Sequence, residues 1–597
     1  MSKLLKMAER YEVRAVTGVI IFAFVLGCVG YYQMYFVSPD VYFGKEHYFS
    51  YLDILYSTLM LYILEAGADS GSNNWPASVQ VARLLAPLGL GWAAVRTVMS
   101  LLSEQISDYQ MGKLKGHVIV VGTGDVANRL ISGFSGDHDV VHICPAGAEN
   151  PESCKGDHIF TVRGDATIAK TLETARLRYS ERVFLSSSIE SHNRSAAFAI
   201  ADHLKKGRLF ESKIFCHMKL GGTASSVRAS REVLPLNSER LSMRLFNPTH
   251  TVARIIIRDH CPHLKRLPNE GEPPLHVLVI GFTELGQEVV KQLIRVCHFT
   301  DCQKIRITVV DGNNYQAWER FCKETPGLLT AAESRYENQD PCAIPIERWD
   351  DLQGVDRGVF DAAYITIPDP DESYAIASDA RDGLGSGENP HQVVVCSVGE
   401  MNRGSLDSSR GAHDVETNVV FFDLTKSSWT REYICDEKGD DEAKEIHKAY
   451  LMEREEKEKR HKQSNDKERE VKPADVAWEK LAEYFRNANR DQADHNLVKK
   501  TILEQKGATK EQAVGFEMEH PELFELMAKI EHRRWMASTV IAGFRYGKDR
   551  DDDFKRTHPN LQKPELSFAE HYAQLDEGTK EYDRVMIRKF IETWSVR

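Results

Sequence analysis

The chain has 597 residues, 42% of them apolar, and its 76 Lys and Arg against 88 Asp and Glu give a formal net charge of −12. At roughly 100–200 residues per domain, this length implies about three to five domains and excludes wholesale disorder. The acidic balance excludes nucleic acid as a partner. The 11 cysteines show no CxxC spacing, so we expect reduced thiols and no metal site.

The first predicted membrane span is the uncharged segment 15–37, whose 23 residues exceed the ~20 that cross a bilayer. The apolar region of a signal peptide would be only about 7–15 residues long, and it would end at small residues, whereas this segment ends in aromatic ones. Four basic residues precede the span and one lies in residues 38–82. The positive-inside rule therefore places the N-terminus in the cytoplasm.

A second span is predicted over 81–103, where the apolar run contains Pro87 and Arg96. An intramembrane arginine is unfavourable unless it faces water or a partner, so Arg96 either lines a pore or reaches the cytoplasmic interface. Between the spans, the apolar segment 52–65 is too short to cross and suits a re-entrant helix. Residues 1–115 therefore have the layout of a pore module.

This layout resembles the two-helix pore domain of the potassium-channel superfamily. Those channels carry a TVGYG segment, whose carbonyl groups replace the hydration shell of the ion. Here residues 63–71 read ILEAGADSG, a departure that puts potassium selectivity in doubt. In a symmetric assembly Glu65 and Asp69, on either side of Gly67, would form acidic rings that favour cations. The alternative is an acidic extracellular loop without a pore.

A dinucleotide-type glycine motif follows the membrane segments. An apolar strand leads into Gly122 and Gly124, with Ala127 in the third position, and then into a helix. Such glycines let the backbone approach a phosphate at the positive end of the helix. Further strands and helices alternate behind it, which predicts a parallel, doubly wound sheet. However, Cys144 ends the second strand, where a dinucleotide site would carry an acidic residue.

The same strand, glycine motif and helix recur further along the chain. This second copy lacks a glycine but has the acidic residue that the first copy lacks. Gly281 and Gly286 are kept, but Thr283 replaces the middle glycine, and the second strand ends in Asp311. Either copy can therefore hold a nucleotide or NAD-like ligand, or serve only as a scaffold. Further support for a regulatory domain comes from the GDAT motif around Asp165, which follows the third strand of the first copy.

With that motif, the first copy resembles the TrkA-N or RCK domain (regulator of potassium conductance), and residues 247–261 resemble its crossover helix. The resemblance implies two tandem RCK domains, 116–266 and 267–436. It also implies a homotetramer whose cytoplasmic gating ring expands on binding a ligand and pulls the inner helix open. The nucleotide-binding residues would be Gly122, Gly124, Asp165, Gly281, Gly286 and Asp311.

A charged linker is predicted over 437–472, followed by a small all-α domain over 473–597. The segments AKIEHRRW, GFRYG, HPNL and YDR in this last part resemble the RyR domain of ryanodine receptors, which also occurs in bacterial proteins. Its candidate ligand residues are Glu531, His532, Trp535, Arg545, Tyr546, Tyr582 and Arg584. In one interpretation the aromatic residues stack on a planar ligand whose phosphate meets an arginine; in the other they are core residues.

The fold prediction is a two-span helical pore module, tandem Rossmann-like RCK domains and a RyR domain. We expect a ligand-gated cation channel or channel-like effector, multi-pass in the inner (plasma) membrane, with its N-terminus and C-terminal domains cytoplasmic. Its partners would be lipid, further copies of the chain and a small nucleotide-like ligand. No catalytic residue is predicted. The alternatives are a non-conducting membrane-anchored receptor and an NAD-dependent oxidoreductase, for which the sequence shows no hydride-transfer constellation.

Overall fold

Contacts divide the computed structural model into two units, residues 1–113 and 114–597. The first boundary therefore falls two residues before the predicted end of the pore module. The structure describes residues 2–43, 48–63, 75–147, 156, 158–205, 212–217, 241–262, 272–299, 305–311, 315–325, 343–344, 360–384, 392–397, 419–423, 431–463, 474–509, 513, 515–551 and 556–596. The predicted pore residues Glu65, Gly67 and Asp69 lie outside these ranges.

Unit 1–113 is helical. Its helices are α1 Ser2–Tyr32, which continues as a π-helical segment Gln33–Val37, α2 Pro39–Tyr42, α3 Tyr51–Met60, which continues as a 3₁₀ turn Leu61–Ile63, and α4 Ala77–Met111. A reciprocal capping box starts α3: the Ser50 hydroxyl accepts from the backbone at the start of the helix, and Asp53 accepts from the Ser50 N–H. The helix predicted over 52–65 is thus observed from residue 51 to residue 63.

Small residues let these helices pack closely. A Cβ atom added to Gly30 of α1 would lie 2.3 Å from the Val79 side chain of α4, and one added to Gly27 would lie 2.7 Å from Thr58 of α3. Large apolar side chains cover the opposite faces, where Phe22 and Leu88 are 55% and 69% exposed. Small residues between helices and an apolar outer surface are typical of membrane-spanning helices.

Two helices of this unit are long and apolar enough to cross a membrane, over Val16–Val37 and Ala77–Val95. The first agrees with the predicted span 15–37. The second begins four residues before the predicted span 81–103 and ends directly before Arg96. The side chain of Arg96 is outside the described part of the structure, so both positions expected for it stay predictions.

Unit 114–597 begins with a six-stranded parallel sheet, the first lobe. Its strands lie in the order β3-β2-β1-β4-β5-β6, which is the doubly wound order of dinucleotide-binding folds. They are β1 Val118–Val121, β2 Val140–Cys144, β3 Ile159–Arg163, β4 Arg182–Leu185, β5 Ser212–His217 and β6 Leu241–Phe246. The accompanying helices are α5 Asp125–Phe134, α6 Ala169–Thr174, α7 Glu190–Lys205 and α8 Pro248–Asp259.

The second lobe repeats this topology, with the order β12-β11-β10-β7-β8-β9. Its strands are β7 His276–Ile280, β8 Arg306–Val310, β9 Ala343–Ile344, β10 Ala362–Ile365, β11 Gln392–Ser397 and β12 Val419–Asp423, and its helices are α9 Glu284–Val296, α10 Tyr315–Glu324 and α11 Pro370–Leu384. The predicted pair of Rossmann-like sheets is therefore confirmed. The predicted crossover helix is α8, which the Asn247 side chain caps by accepting from the His250 N–H.

The C-terminal part is mostly helical. It contains α12 Arg431–Ile434, α13 Asp441–Gln463, α14 Glu483–Gln505, α15 Phe516–Glu519, α16 Pro521–Ile541, α17 Phe568–Gln574 and α18 Glu577–Val596, with the short strands β13 Arg545–Tyr546 and β14 Thr557–His558. The predicted linker 437–472 is thus a helix over much of its length, and the segment predicted to be all-α includes a pair of two-residue strands.

One hydrophobic core runs from the second lobe into these C-terminal helices. It includes Leu293 of α9, Ile502 of α14 and Val540 of α16, all at most 2% exposed. The sequence predicted a domain boundary at residue 472, and here the structure differs, because the apolar faces of α14 and α16 complete the core of the second lobe. Residues 473–597 also have a buried cluster of their own, which includes Phe516, Met527 and Ile587.

Buried ion pairs connect the crossover helix to the C-terminal part. Arg254 of α8 donates to both carboxylate oxygens of Asp494 at 2.8 and 2.9 Å, and to Asp440 at 2.7 Å. Arg490 of α14 also donates to Asp440, at 2.7 and 2.9 Å. Burial alone would raise the pKa of the Asp440 carboxyl, but Arg490 and Arg254 hold it below its ordinary value. We call Arg254, Asp440, Arg490 and Asp494 the α8 ion network.

Removing the shared carboxylate should destabilise the unit. In Asp440→Asn, two buried guanidinium groups lose an anionic partner, and breaking such a pair lowers stability by roughly 3–5 kcal/mol. We expect a clearly lower unfolding temperature for the intact protein in detergent. The control is Glu432→Gln, which removes the partner of Lys438 in a surface pair about 60% exposed on both sides. It should leave the unfolding temperature unchanged, and equal temperatures for the two variants would contradict this account.

Candidate functional site

The glycine loop of the first lobe is open to a ligand. Gly122 has φ +117°, and an added Cβ would lie 2.7 Å from the Ser187 nitrogen, so the close approach to β4 requires glycine. Gly124, at φ +114°, precedes α5, and a Cβ there would meet no described atom within 4 Å. No side chain in the described structure caps this end of α5. The positive end of the helix therefore faces open space, as a phosphate site needs.

The glycine loop of the second lobe is already filled by its own chain. Asp311 accepts from the Phe282 N–H at 2.6 Å, and the Thr283 hydroxyl accepts from the Gly286 N–H at 3.2 Å. An added Cβ on Gly286 would lie 2.1 Å from the Gly281 oxygen, so this glycine serves the contact between strand and helix. The donors that would hold a phosphate are engaged, and Asp311 binds the loop where the sequence predicted a nucleotide contact.

Two other positions near the first loop act locally. Asp165 accepts from the Thr167 N–H at 2.8 Å, which closes the turn after β3. Cys144, in the position of the missing acid, is buried, and burial raises the pKa of its thiol. His142 lies 2.8 Å through Nε2 from the Gly122 carbonyl oxygen, and burial lowers its pKa, so the neutral ring donates this hydrogen bond and supports the loop.

Arg584 does not have a free guanidinium for a phosphate. It donates to Glu525 through Nε and Nη2, at 2.9 and 3.2 Å, and to Glu577 through Nη1 at 3.1 Å. Hydrogen bonding to Glu525 is the main reason why the pKa of Arg584 lies above its ordinary value. The predicted phosphate contact is therefore replaced by an ion pair between α18 and α16.

Glu531 is also a structural residue. It is 1% exposed and pairs with Lys499 at 2.7 Å and with Arg534 at 2.6 Å. Burial would raise the pKa of this carboxyl, but Arg534 and then Lys499 hold it well below the ordinary value. A charged carboxylate paired with Lys499 and Arg534 stabilises the joint between α14 and α16. It is not free to serve as an acid or a base.

His532 belongs to a buried relay of hydrogen bonds. Its Nδ1 lies 2.9 Å from Asp583 Oδ2, and its Nε2 lies 3.3 Å from His571 Nε2. If Nδ1–H donates to Asp583, then His532 Nε2 must accept from His571, which assigns the tautomer of both rings. Burial, and next the neighbouring His532, lower the pKa of His571 to about 4. His571 is therefore neutral at pH 7, and the relay has a structural role.

A cavity of about 840 Å³ lies between the junction of β6 with α8 and the C-terminal helices α13, α14, α16 and α18. Three predicted ligand residues line it, Glu531, Trp535 and Tyr582. The other four, His532, Arg545, Tyr546 and Arg584, are not among its described lining residues. The aromatic residues predicted to stack together are thus divided, because Tyr546 lies on β13, where the Lys563 ammonium is 5.8 Å from its ring.

Sequence reasoning missed the polar residues that α9 and α14 place in this cavity, above all Arg295 and Asp491. A signal was present, since Glu288, Lys291 and Arg295 recur at spacings of three and four along α9 and would share one face of a helix. All three are at most 1% exposed. Among the described residues, no group of three or more His, Cys, Asp or Glu side chains could hold a metal ion.

No family model matches the sequence, and the comparison with curated proteins finds no match. Among solved structures, the chain is similar to GsuK bound to ADP (12% identity, TM-score 0.37, 73% of this chain and 100% of that chain). It is also similar to the GsuK channel bound to NAD, with 12% identity and a TM-score of 0.34 over 70% of this chain and 81% of that chain. A third similar structure is the human SLO3 gating ring, with 9% identity and a TM-score of 0.35 over 52% of this chain and 80% of that chain. Similarity at this level does not establish a shared function.

Buried neutral histidines should make the stability of unit 114–597 depend on pH. Burial lowers the pKa of His495 and of His571 to about 4, below the ordinary 6.5. Between these values the unfolded chain binds more protons than the native one, so native stability falls as pH falls from about 6.5 towards 4. We expect the unfolding temperature of the intact protein to fall between pH 6.5 and 5.

His571→Gln keeps a donor for His532 and removes one titrating group, so its unfolding temperature should fall less over the same pH range. Carboxyl groups with a lowered pKa, such as Glu288 at about 2, stay ionised in the native state throughout. The stability of the native state falls further because of these carboxyl groups only at pH values below their ordinary pKa of about 4.5, where the unfolded chain begins to protonate them. Identical pH dependence in the variant and the wild type would contradict the assignment to His571.

Proposed function

We propose that the chain is a ligand-gated membrane channel, or a channel-like effector, whose unit 114–597 binds a nucleotide at the first glycine loop. The contrast between the two lobes carries the proposal. Both have the same sheet order, but the loop around Gly124 leaves the positive end of its helix open, whereas Asp311 and Thr283 fill the second loop. A phosphate-bearing ligand therefore has one suitable loop, and the second lobe supports it.

The apolar helices of unit 1–113 support the membrane part of this proposal. In the proposed arrangement α1 and α4 span the membrane, α3 is the re-entrant helix, and the chain assembles as a homotetramer with unit 114–597 in the cytoplasm. Glu65 and Asp69 would then form rings of carboxylates at the outer end of the pore, and such rings favour cations. The C-terminal helices would act as a second sensor.

The alternative is a membrane-anchored receptor that binds the same ligand without conducting ions. The absence of a TVGYG segment supports this alternative. An oxidoreductase is less well supported, because the acid that would bind a ribose in the second lobe is engaged with Phe282, and the first lobe has Cys144 in its place. Ion flux through the wild-type protein distinguishes the channel from the receptor. Nucleotide binding without any ion flux would favour the receptor.

The test uses the full-length protein in liposomes and titrates ADP and NAD, the nucleotides bound in two of the structures named above. We expect cation flux to change with nucleotide. Gly124→Ala should weaken the response at least tenfold, because it adds a methyl group at the open end of α5. The added methyl group meets no described atom, but the backbone at φ +114° and ψ −177° is essentially restricted to glycine, and this strain costs roughly 1–3 kcal/mol. The unfolding temperature of the variant therefore has to show that the fold is kept before its response is read.

Gly286→Ala is the matched control in the second lobe. Its Cβ would lie 2.1 Å from the Gly281 oxygen, so it should lower the unfolding temperature rather than act on the ligand. In the same liposomes Glu65→Gln should reduce cation preference, measured as a shift in reversal potential, whereas Asp40→Asn on α2 should not. If nucleotide neither binds nor alters flux in the wild type, the proposal fails.

A further inference from the structure

The cavity between the β6–α8 junction and the C-terminal helices is large enough for a small-molecule ligand. Its volume of about 840 Å³ lies within the range of roughly 300–1,000 Å³ usual for ligand pockets. It is separate from the first glycine loop, since neither Gly122 nor Gly124 lines it. Both lobes and the C-terminal part contribute to its wall, through Phe246, Arg295 and Trp535 respectively.

One charged pair in the wall is incomplete. Arg295 Nε lies 3.5 Å from Asp491 Oδ2, although both residues are at most 3% exposed. Arg295 Nε and Nη1 and Asp491 Oδ1 make no hydrogen bond to any described group. In contrast, Arg254 and Arg490 of the same wall pair with carboxylates at 2.7–2.9 Å. These atoms have almost no accessible surface, so a molecule in the cavity reaches them only after a small movement of the two side chains, both of which line it. Leaving buried donors and acceptors without partners is unfavourable, which favours that movement.

A ligand that pairs with these unsatisfied atoms must offer a hydrogen-bond acceptor and a hydrogen-bond donor side by side. Arg295 Nη1 can only donate, and the Asp491 carboxylate can only accept. A simple anion would satisfy Arg295 but repel Asp491, and a simple cation would do the reverse. The edge of a nucleobase offers ring or carbonyl acceptors beside N–H donors and meets both needs.

Aromatic side chains in the same cavity suit a planar base. Trp535 is half-buried. Its ring contacts His558 edge to face, with the two ring centroids 5.0 Å apart. Tyr582 is 57% exposed at the rim, so its ring can close over a ligand without being needed for the core. Stacking on such rings is tolerant of base identity and typically contributes about a tenfold or greater gain in affinity.

We propose that this cavity binds a nucleotide through its base, with Arg295 and Asp491 on the base edge and Trp535 and Tyr582 against its faces. The inference rests on the proposed function only in that the C-terminal helices act as a sensor. Because His250 and Arg254 of α8 also line the cavity, a bound base would contact the crossover helix directly. It would thereby link the C-terminal helices to the first lobe.

The experiment titrates full-length protein in detergent with AMP, GMP, CMP and UMP by calorimetry, and with ribose 5-phosphate, which has the same phosphate and no base. At least one of the four nucleotides should bind, and ribose 5-phosphate should not. Asp491→Asn turns an acceptor into an amide and should weaken the preferred nucleotide at least tenfold or change which base is preferred. A purely structural role for Asp491 would not change base preference.

Tyr582→Ala keeps the test valid if Asp491→Asn fails to fold, because Tyr582 is exposed. It should weaken binding about tenfold, and Tyr582→Phe, which keeps the ring, should bind as the wild type does. Gly124→Ala separates this cavity from the first loop. Binding that is lost in Gly124→Ala but unchanged in Asp491→Asn and Tyr582→Ala would overturn this inference and leave the proposed function standing. In Gly124→Ala, ribose 5-phosphate binding as well as the nucleotides, or no binding of any of the four nucleotides, would also overturn this inference. Binding of ADP or NAD to the wild type would then still leave the proposed function standing.

Discussion

The double salt bridge of Arg254 is the interaction on which the arrangement of unit 114–597 depends. A single guanidinium on the crossover helix reaches Asp440, at the start of α13, and Asp494 on α14. Buried ion pairs contribute little net stability compared with apolar contacts, but they allow few alternative geometries, because displacing one partner leaves an unpaired charge. The α8 ion network therefore fixes the position of the C-terminal helices on the lobes more than it strengthens the fold.

The two lobes differ in what surrounds their glycine loops. The second lobe shares its core with α14 and α16, and its glycine loop is filled by Asp311 and Thr283. The first lobe keeps an open loop around Gly124, and its last strand leads into α8. A ligand at that loop and a ligand in the cavity would act on opposite ends of the segment formed by the first lobe and α8. The second lobe would be the rigid support between them.

The two sheets, a helix after residue 247 and the apolar helices could be predicted because their signals are local: apolar runs, glycine spacing and turn residues. The candidate site could be predicted only in part. Trp535 and Tyr582 do line a cavity, but Arg584 is engaged with Glu525 of α16, a helix that a sequence pattern does not bring next to α18. Likewise, the spacing of Glu288, Lys291 and Arg295 does not show what faces that side of α9. The predicted boundary at residue 472 rested on a charged stretch, which indicates solvent exposure over α13 and does not show that α14 and α16 share apolar contacts with the second lobe.

The central claim is that the second lobe and the C-terminal helices form one cooperative body. Native-state hydrogen exchange of the full-length protein at increasing denaturant tests it most directly, since it reports an opening free energy for each segment. The account predicts that the slowest amides of α9, α14 and α16 have the same opening free energy and the same denaturant dependence. Opening of α14 and α16 at lower denaturant, with β7 and β10 still protected, would contradict it.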